Sequence, residues 1–300
     1  MLGQLHDPDL QLLRLFVTVV EAGGFSAAQG VLGLSQPSIS QQMARLETRL
    51  GYRLCSRGKG GFRLTEKGVL LLDAARGLLL QVEAFRQQAN GVAGRLVGRL
   101  RIGMAENQDT AITLRMADTI ARFRQRDEAV QLELVSAPPA ELERLLLEQR
   151  LDLAISYFSG NQAAFDYHRL FEERQRLYCG RQHALFTCEH ISQEQLLDAD
   201  QVHHPYRFLK RGEPLQSRRS SALAEQIDSA LTFILSGRHI GYLPCHCAQP
   251  WEARGELRAL DVALDFTVPF TLARHRGQVF GEAQRAFVDD LLAVFNNGGI

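Results

Sequence analysis

The 300-residue chain has no apolar run approaching the ~18 to 20 residues that cross a bilayer. Its first ten residues carry His6, Asp7 and Asp9 where a leader would have basic and then apolar residues. These absences lead us to expect a cytoplasmic protein with no membrane partner. The five cysteines, Cys55, Cys179, Cys188, Cys245 and Cys247, are odd in number and follow no framework spacing, which argues against a disulfide scaffold and for reduced thiols. No Gly-x-Ser-x-Gly, phosphate-binding loop or His-Glu-x-x-His string occurs, so no enzyme, cofactor or metal is expected.

What is present suits a folded, multi-domain chain: 45% of residues are hydrophobic, and the length allows two or three domains. The formal net charge of zero hides an asymmetry. Residues 1–99 hold 12 Lys and Arg against 7 Asp and Glu, and residues 100–300 hold 22 against 27. Seven of the basic residues fall between Arg45 and Lys67, opposed only by Glu47 and Glu66. A basic segment in an otherwise neutral chain points to a polyanion partner for that segment alone.

Leu10, Leu13, Phe16, Val17 and Val20 recur at helical spacing over Asp9 to Glu21, and Ala22-Gly23-Gly24 ends the run. Ser26 is placed to cap a short second helix from Ala27 to Leu32, and Gly33-Leu34 makes a turn. Ser35 caps a third helix, which tolerates Pro37 in its first turn. Ile39, Met43, Leu46 and Leu50 form its buried face, so Ser38, Gln41, Gln42, Arg45 and Arg49 face outward. Short hydrogen-bonding side chains followed by arginines suit a helix that enters the major groove while its later cations meet phosphates. Residues 53–65 read as a two-stranded hairpin with a glycine-rich tip, in which Arg57, Lys59 and Arg63 supply cations. Two helices on a tight turn are often only a structural hairpin; the basic wing that follows favours DNA.

Residues 9–68 resemble the DNA-binding domain of LysR-type transcriptional regulators. The match runs from Leu13-Arg14-x-Phe16 and Val20-Glu21 through Gly24-Phe25-Ser26-x-Ala28, Leu32 and Ser35-Gln36-Pro37-Ser38-Ile39-Ser40. It continues through Leu46-Glu47-x-x-Leu50-Gly51, Leu54, Arg57 and Leu64-Thr65-x-x-Gly68. Gln29, Gly30 and Cys55 depart from the pattern. The resemblance implies that Gln36, Pro37, Ser38, Ser40, Gln41 and Arg45 lie in or beside the major groove, and that Ser26, Arg57, Lys59 and Thr65 hold backbone or wing contacts. Its implied partners are double-stranded DNA at a roughly palindromic promoter site, a small-molecule effector, further copies of the chain in a homodimer or homotetramer, and RNA polymerase.

From Glu66 to Asn90 one long helix is expected, on which Leu71, Ala75, Leu78, Val82 and Phe85 form a heptad seam. It serves either as a dimerisation surface or to pack the helix on its own domain; the resemblance favours the dimer. Asn90 to Gly94 should break the helix. Strands at Leu100–Met104, Val130–Val135 and Leu151–Ser156 then alternate with helices at Thr110–Arg126 and Pro139–Gln149, which implies a parallel, doubly wound sheet. Further strands are expected at Arg169–Cys179, Gln201–His204, Arg218–Ser220 and Val262–Ala273, with helices at Ala222–Ser236 and Glu282–Phe295.

The expected architecture is thus an all-α winged helix-turn-helix (1–65) with a long linker helix (66–94), followed by a two-lobed α/β effector domain (95–300) resembling a periplasmic binding protein. Lobe I takes about 95–168 and 269–300, and lobe II about 169–268. Ligands of open α/β sheets sit at strand ends, which nominates Glu106, Asn107, Gln108, Ser136, Pro138, Ser156, Tyr157, His203, His204 and Tyr206. Glu106 disfavours an anionic ligand and points to a cationic or zwitterionic one. Two other readings stay open: a cytoplasmic solute-binding protein or metal/redox sensor built on Cys245-His246-Cys247, and an enzyme with an accidental helix-turn-helix. On a strand, Cys245 and Cys247 would share a face.

Overall fold

A computed structural model describes residues 4–58, 61–92, 96–126, 129–158, 162–203, 215–260, 262–278 and 280–297. The chain divides into two compact units, Met1–Ala93 and Gly94–Ile300. Lys59, His204 and Tyr206, three of the expected site residues, lie outside the described residues.

In the first unit, α1 (Asp7–Glu21), α2 (Ala28–Leu32) and α3 (Gln36–Leu50) are followed by the hairpin β1 (Cys55–Gly58) and β2 (Gly61–Leu64), and by α4 (Glu66–Val92). The core is built from the apolar stripes of these helices: Phe16, Val19, Ala28, Ile39, Met43, Leu46 and Leu54 are essentially inaccessible. Ser35 accepts the Ser38 N–H as the cap of α3, and Gly51 ends that helix at φ +81°, the left-handed conformation that glycine adopts most readily. Glu47 fastens the wing to α3, its Oε1 accepting the Leu54 N–H at 2.7 Å and the Cys55 N–H at 3.4 Å.

Three expectations for this unit are corrected. Ala27, not Ser26, is the cap residue of α2; it makes no side-chain cap bond, and the Ser26 side chain faces solvent. The long helix does not break at Asn90 but runs through Gly91 to Val92. The heptad seam is partly consumed at home: Ala75 is buried, and Leu71 and Leu78 pack against the same core, whereas Phe85 is 71% exposed.

The second unit opens with β3 (Gly98–Met104), α5 (Thr110–Arg124), β4 (Val130–Ser136), α6 (Pro139–Leu147) and β5 (Leu153–Ser156). β3 pairs in parallel with both β4 and β5. The 16-residue β6 (Phe165–Gly180) then leads to α7 (Gln193–Asp198), β7 (Asp200–His203), β8 (Arg219–Leu223), α8 (Ile227–Leu235), β9 (Ile240–Pro244), α9 (Cys245–Ala253) and β10 (Leu257–Ala259). The chain returns through β11 (Phe266–His275) and ends in α10 (Glu282–Asn297).

The strands form one sheet in the order β4-β3-β5-β11-β6-β9-β7-β8, with β10 also on β6. It is mixed, not wholly parallel, since β11 runs antiparallel to β5 and β6, and β6 antiparallel to β9. The long β6–β11 ribbon joins one core around Leu100, Ile102, Phe123, Phe270 and Phe287 to a second around Tyr178, Ile234, Leu243 and Leu257. Buried Asp290 on α10 accepts from Arg122 and Arg126, beside the α5–α10 contact.

Two further readings change. Ala222 and Leu223 belong to β8, so the following helix starts only at Ile227, after the turn at 224–226; the expected strand at 262–273 starts at Phe266. Cys245-His246-Cys247 is the first turn of a helix, not part of a strand, because Pro244 closes β9 and leads directly into α9.

Candidate functional site

Gln41 and Arg45, one turn apart on α3, are both exposed, as are Gln36 and Pro37; Ser38 and Ser40 are half-buried. The opposite face, Ile39, Met43 and Leu46, is locked in the core, so the outward side chains cannot rotate inward without losing it. Gln29, a departure from the expected pattern, bridges the helices: its Nε2 donates to the Ser26 carbonyl at 3.1 Å, and its Oε1 accepts the Gln36 N–H at 3.3 Å. Arg57 lies on β1 and Arg63, exposed, on β2.

Two side chains expected toward DNA have structural partners instead. Arg49 Nη2 donates to Asp9 Oδ2 at 2.7 Å, and this carboxylate is only 1% exposed. The Thr65 hydroxyl donates to the Arg53 carbonyl at 2.8 Å and accepts the Gly68 N–H at 3.0 Å, joining the wing to α4.

In the second unit a small cavity opens at the carboxyl end of β3. Of the residues expected there, Glu106, Asn107, Pro138 and Tyr157 line it. Gln108, Ser136, Ser156 and His203 do not. Gln108 folds back onto the Ala105 carbonyl, Ser156 is buried and donates to the Tyr157 carbonyl, Ser136 faces solvent, and His203 sits at the end of β7, where its carbonyl accepts from Ala224.

Sequence reasoning missed Glu173 and Gln175 on one face of β6, Glu225, Gln226 and Ile227 before and at the start of α8, and Phe270 on β11. The turn before α8 was detectable as a strand end; mid-strand β6 gave no such signal. Glu173 Oε1 accepts from Gln175 Nε2 at 2.7 Å. Burial, and secondarily the charge of Asp109, push the Glu173 carboxyl up to about 8. His246 reaches over from α9, its Nε2 donating to the Asn107 carbonyl at 2.7 Å while Nδ1 lies 3.9 Å from Glu173 and 4.0 Å from Asp109.

The cysteine pair does not form a metal centre: Cys245 and Cys247 stand two residues apart on a helix, about 200° around its axis. Among the described residues no group of three His, Cys, Asp or Glu is arranged to hold a metal ion. Burial, with Glu173, Asp228 and Asp109 nearby, pushes the Cys247 thiol up to about 12, so it is not a reactive thiolate. Asp200, Ser221 and His239 do meet. The Ser221 hydroxyl, however, donates to Asp200 at 2.6 Å and stands 3.1 Å from His239 Nε2, so the carboxylate holds the serine and not the imidazole, unlike a nucleophilic triad.

The lysR family model for bacterial regulatory helix-turn-helix proteins matches residues 10–69, and the LysR substrate binding domain model matches residues 93–296. The transcriptional activator BauR of Pseudomonas aeruginosa is 36% identical over 281 residues, covering 92% of each chain. A full-length OxyR variant of Pseudomonas aeruginosa shares the fold at a TM-score of 0.67 and 19% identity, covering 98% of this chain and 95% of that one. Full-length CbnR in complex with its target DNA does so at 0.59 and 20% identity, covering 95% and 99%.

Proposed function

The chain belongs to the LysR family of bacterial transcriptional regulators, DNA-binding proteins with an effector-binding domain, and from that membership we propose how its two units divide the work. The first unit reads duplex DNA with Gln36, Pro37, Ser38, Ser40 and Gln41 of α3 toward the major groove and Arg45 beside the groove on a phosphate. Ser26 and the wing residues Arg57, Lys59 and Arg63 serve the phosphates, while Thr65 acts by holding the wing in place. The observation that carries this reading is the exposed Gln41–Arg45 pair directly opposite a fully buried apolar face.

The effector occupies the cavity between the β3–α5 turn and the start of α8, so that occupancy alters the lobes around β6–β11 and with them DNA binding or activation. Likeness to an activator favours activation, in which RNA polymerase is the further partner. Two copies associate along α4, where Val69, Leu70 and Phe85 are exposed beside an apolar groove lined by Leu13, Leu46, Leu50, Leu71 and Leu78. The protein works in the cytoplasm by binding, not by turnover.

The test is duplex binding across a salt series. Arg45→Ala should weaken all sequences alike and reduce the salt slope by about one, whereas Gln41→Ala should relax preference at one position. Loss of neither affinity nor preference in both variants would refute the assignment of α3.

A further inference from the structure

Among the described residues the cavity in the second unit is lined by three glutamates, Glu106, Glu173 and Glu225, and by no lysine or arginine. Glu225 is exposed at the mouth, Glu106 is half-buried, and Glu173 is only 11% exposed. Asp109 adds a fourth carboxylate just behind, near His246. An anionic ligand would be repelled from this end of the cavity.

A second observation is independent of that charge. Gln175, 1% exposed, commits its amide nitrogen to Glu173, and its carbonyl oxygen Oε1 is buried without a hydrogen-bond partner. An unmet buried acceptor is costly, on the order of 1–3 kcal/mol, unless a ligand supplies the donor. Glu173 and Gln175 stand at i and i+2 on β6, so both present acceptors to the same side of the sheet. The remaining walls, including Pro138, Tyr157, Ile227, Pro244 and Phe270, are largely apolar.

A partner for these groups must be small, positively charged, rich in N–H donors at one end and aliphatic beyond it. We infer that the effector carries a primary ammonium group, which donates to the Glu173 carboxylate and to Gln175 Oε1 while its short aliphatic chain lies against Ile227 and Phe270. This inference rests on the reading of the cavity as the effector site. Guanidinium is disfavoured because its planar fork of five donors would outnumber the buried acceptors. Two sources share the ammonium chemistry, a simple amine and an amino acid whose carboxylate lies at the far end of the chain.

Calorimetry on the purified full-length protein distinguishes them with n-butylamine, 1,4-diaminobutane, 4-aminobutyrate and butyrate. Binding of at least one ammonium compound, with no binding of butyrate, is expected. Butylamine or diaminobutane binding identifies the amine class, and 4-aminobutyrate alone identifies the amino-acid class. At pH 9, where Glu173 is ionised and a primary ammonium group is still charged, Glu173→Gln keeps the shape and removes the charge, and should weaken the ligand at least tenfold; Gln175→Leu removes the free acceptor and should weaken it three- to tenfold. Butyrate binding, or unchanged ammonium affinity in both variants, would overturn the ammonium assignment. Ile227→Trp separates that failure from failure of the site itself: a compound that binds wild type but not Ile227→Trp still occupies this cavity, whereas undiminished binding to all three variants places it elsewhere and refutes both readings. Failure of all four compounds to bind likewise refutes the ammonium assignment. In that event, an unaltered level of transcription from Ile227→Trp would refute the site as well.

Discussion

His246 donates from Nε2 to the backbone carbonyl of Asn107 at 2.7 Å, tying the first turn of α9 to the β3–α5 turn. Asn107 itself holds φ +55°, in the left-handed region. His246→Ala leaves that carbonyl without its donor and should cost about 0.5–1.5 kcal/mol of stability in the second unit. Asn107→Gly keeps the carbonyl, relieves the backbone and should stabilise by up to about 1 kcal/mol. A lowered melting temperature in His246→Ala would establish the tie; a melt unchanged from wild type would exclude it.

Much of the first unit was legible because its helices bury one stripe each, so that Ile39, Met43 and Leu46 announce by period alone which way Gln41 and Arg45 point. Glu106 and Asn107 were legible from the end of β3. Glu173 and Gln175 were not, because nothing local distinguishes two polar residues within a 16-residue strand until β11 and β9 flank it: Glu173 pairs with Val268, and Gln175 with both Phe266 and Pro244. The structural role of Arg49 was equally hidden, since its partner Asp9 lies 40 residues away in sequence.

Glu173 makes stability depend on pH in a direction opposite to that of an ordinary surface carboxylate. Its folded-state value, about 8, lies above the unfolded value near 4.5, so the folded protein holds this proton more tightly. The contribution is fully present below about pH 4.5 and is lost as pH rises through 8, at a rate of at most about 1.4 kcal/mol per pH unit. The groups facing Glu173 are Asp109 of the β3–α5 turn, His246 and Cys247 of α9, and Gln175 of β6 itself. Wild type should therefore lose several degrees of Tm between pH 5 and 8 relative to Glu173→Gln. Parallel Tm-against-pH curves for the two proteins would contradict this.

Gly68 allows α4 to begin against the base of the wing. A Cβ there would stand 2.0 Å from the Leu54 carbonyl oxygen, a backbone atom that also accepts the Thr65 N–H at 2.9 Å. Neither partner can move without opening the wing. Gly68→Ala should destabilise the first unit by about 1–3 kcal/mol or more and abolish duplex binding near its melting temperature. Ligand binding by the second unit, measured on the same protein below that temperature, should be unchanged. A melt indistinguishable from wild type would show that the approach is looser than the geometry indicates.

Arg49 separates structural from DNA-contacting arginines on α3. Arg45 and Arg49 are one helical turn apart and both exposed, so sequence pattern treats them alike. Arg49, however, is the ion-pair partner of the nearly inaccessible Asp9 carboxylate, and Asp9 also accepts the His6 N–H at 2.9 Å as part of the cap of α1. Removing the guanidinium strands a buried charge, and the partial exposure of Arg49 limits the cost to about 1–3 kcal/mol. Arg49→Ala should therefore lower the melting temperature of the first unit while leaving the salt slope of DNA binding as it is. Arg45→Ala should do the reverse. The double variant Asp9→Asn with Arg49→Ala removes the uncompensated charge and should recover much of the lost stability. A reduced salt slope in Arg49→Ala at unchanged stability would instead mean that this arginine leaves Asp9 to meet a phosphate.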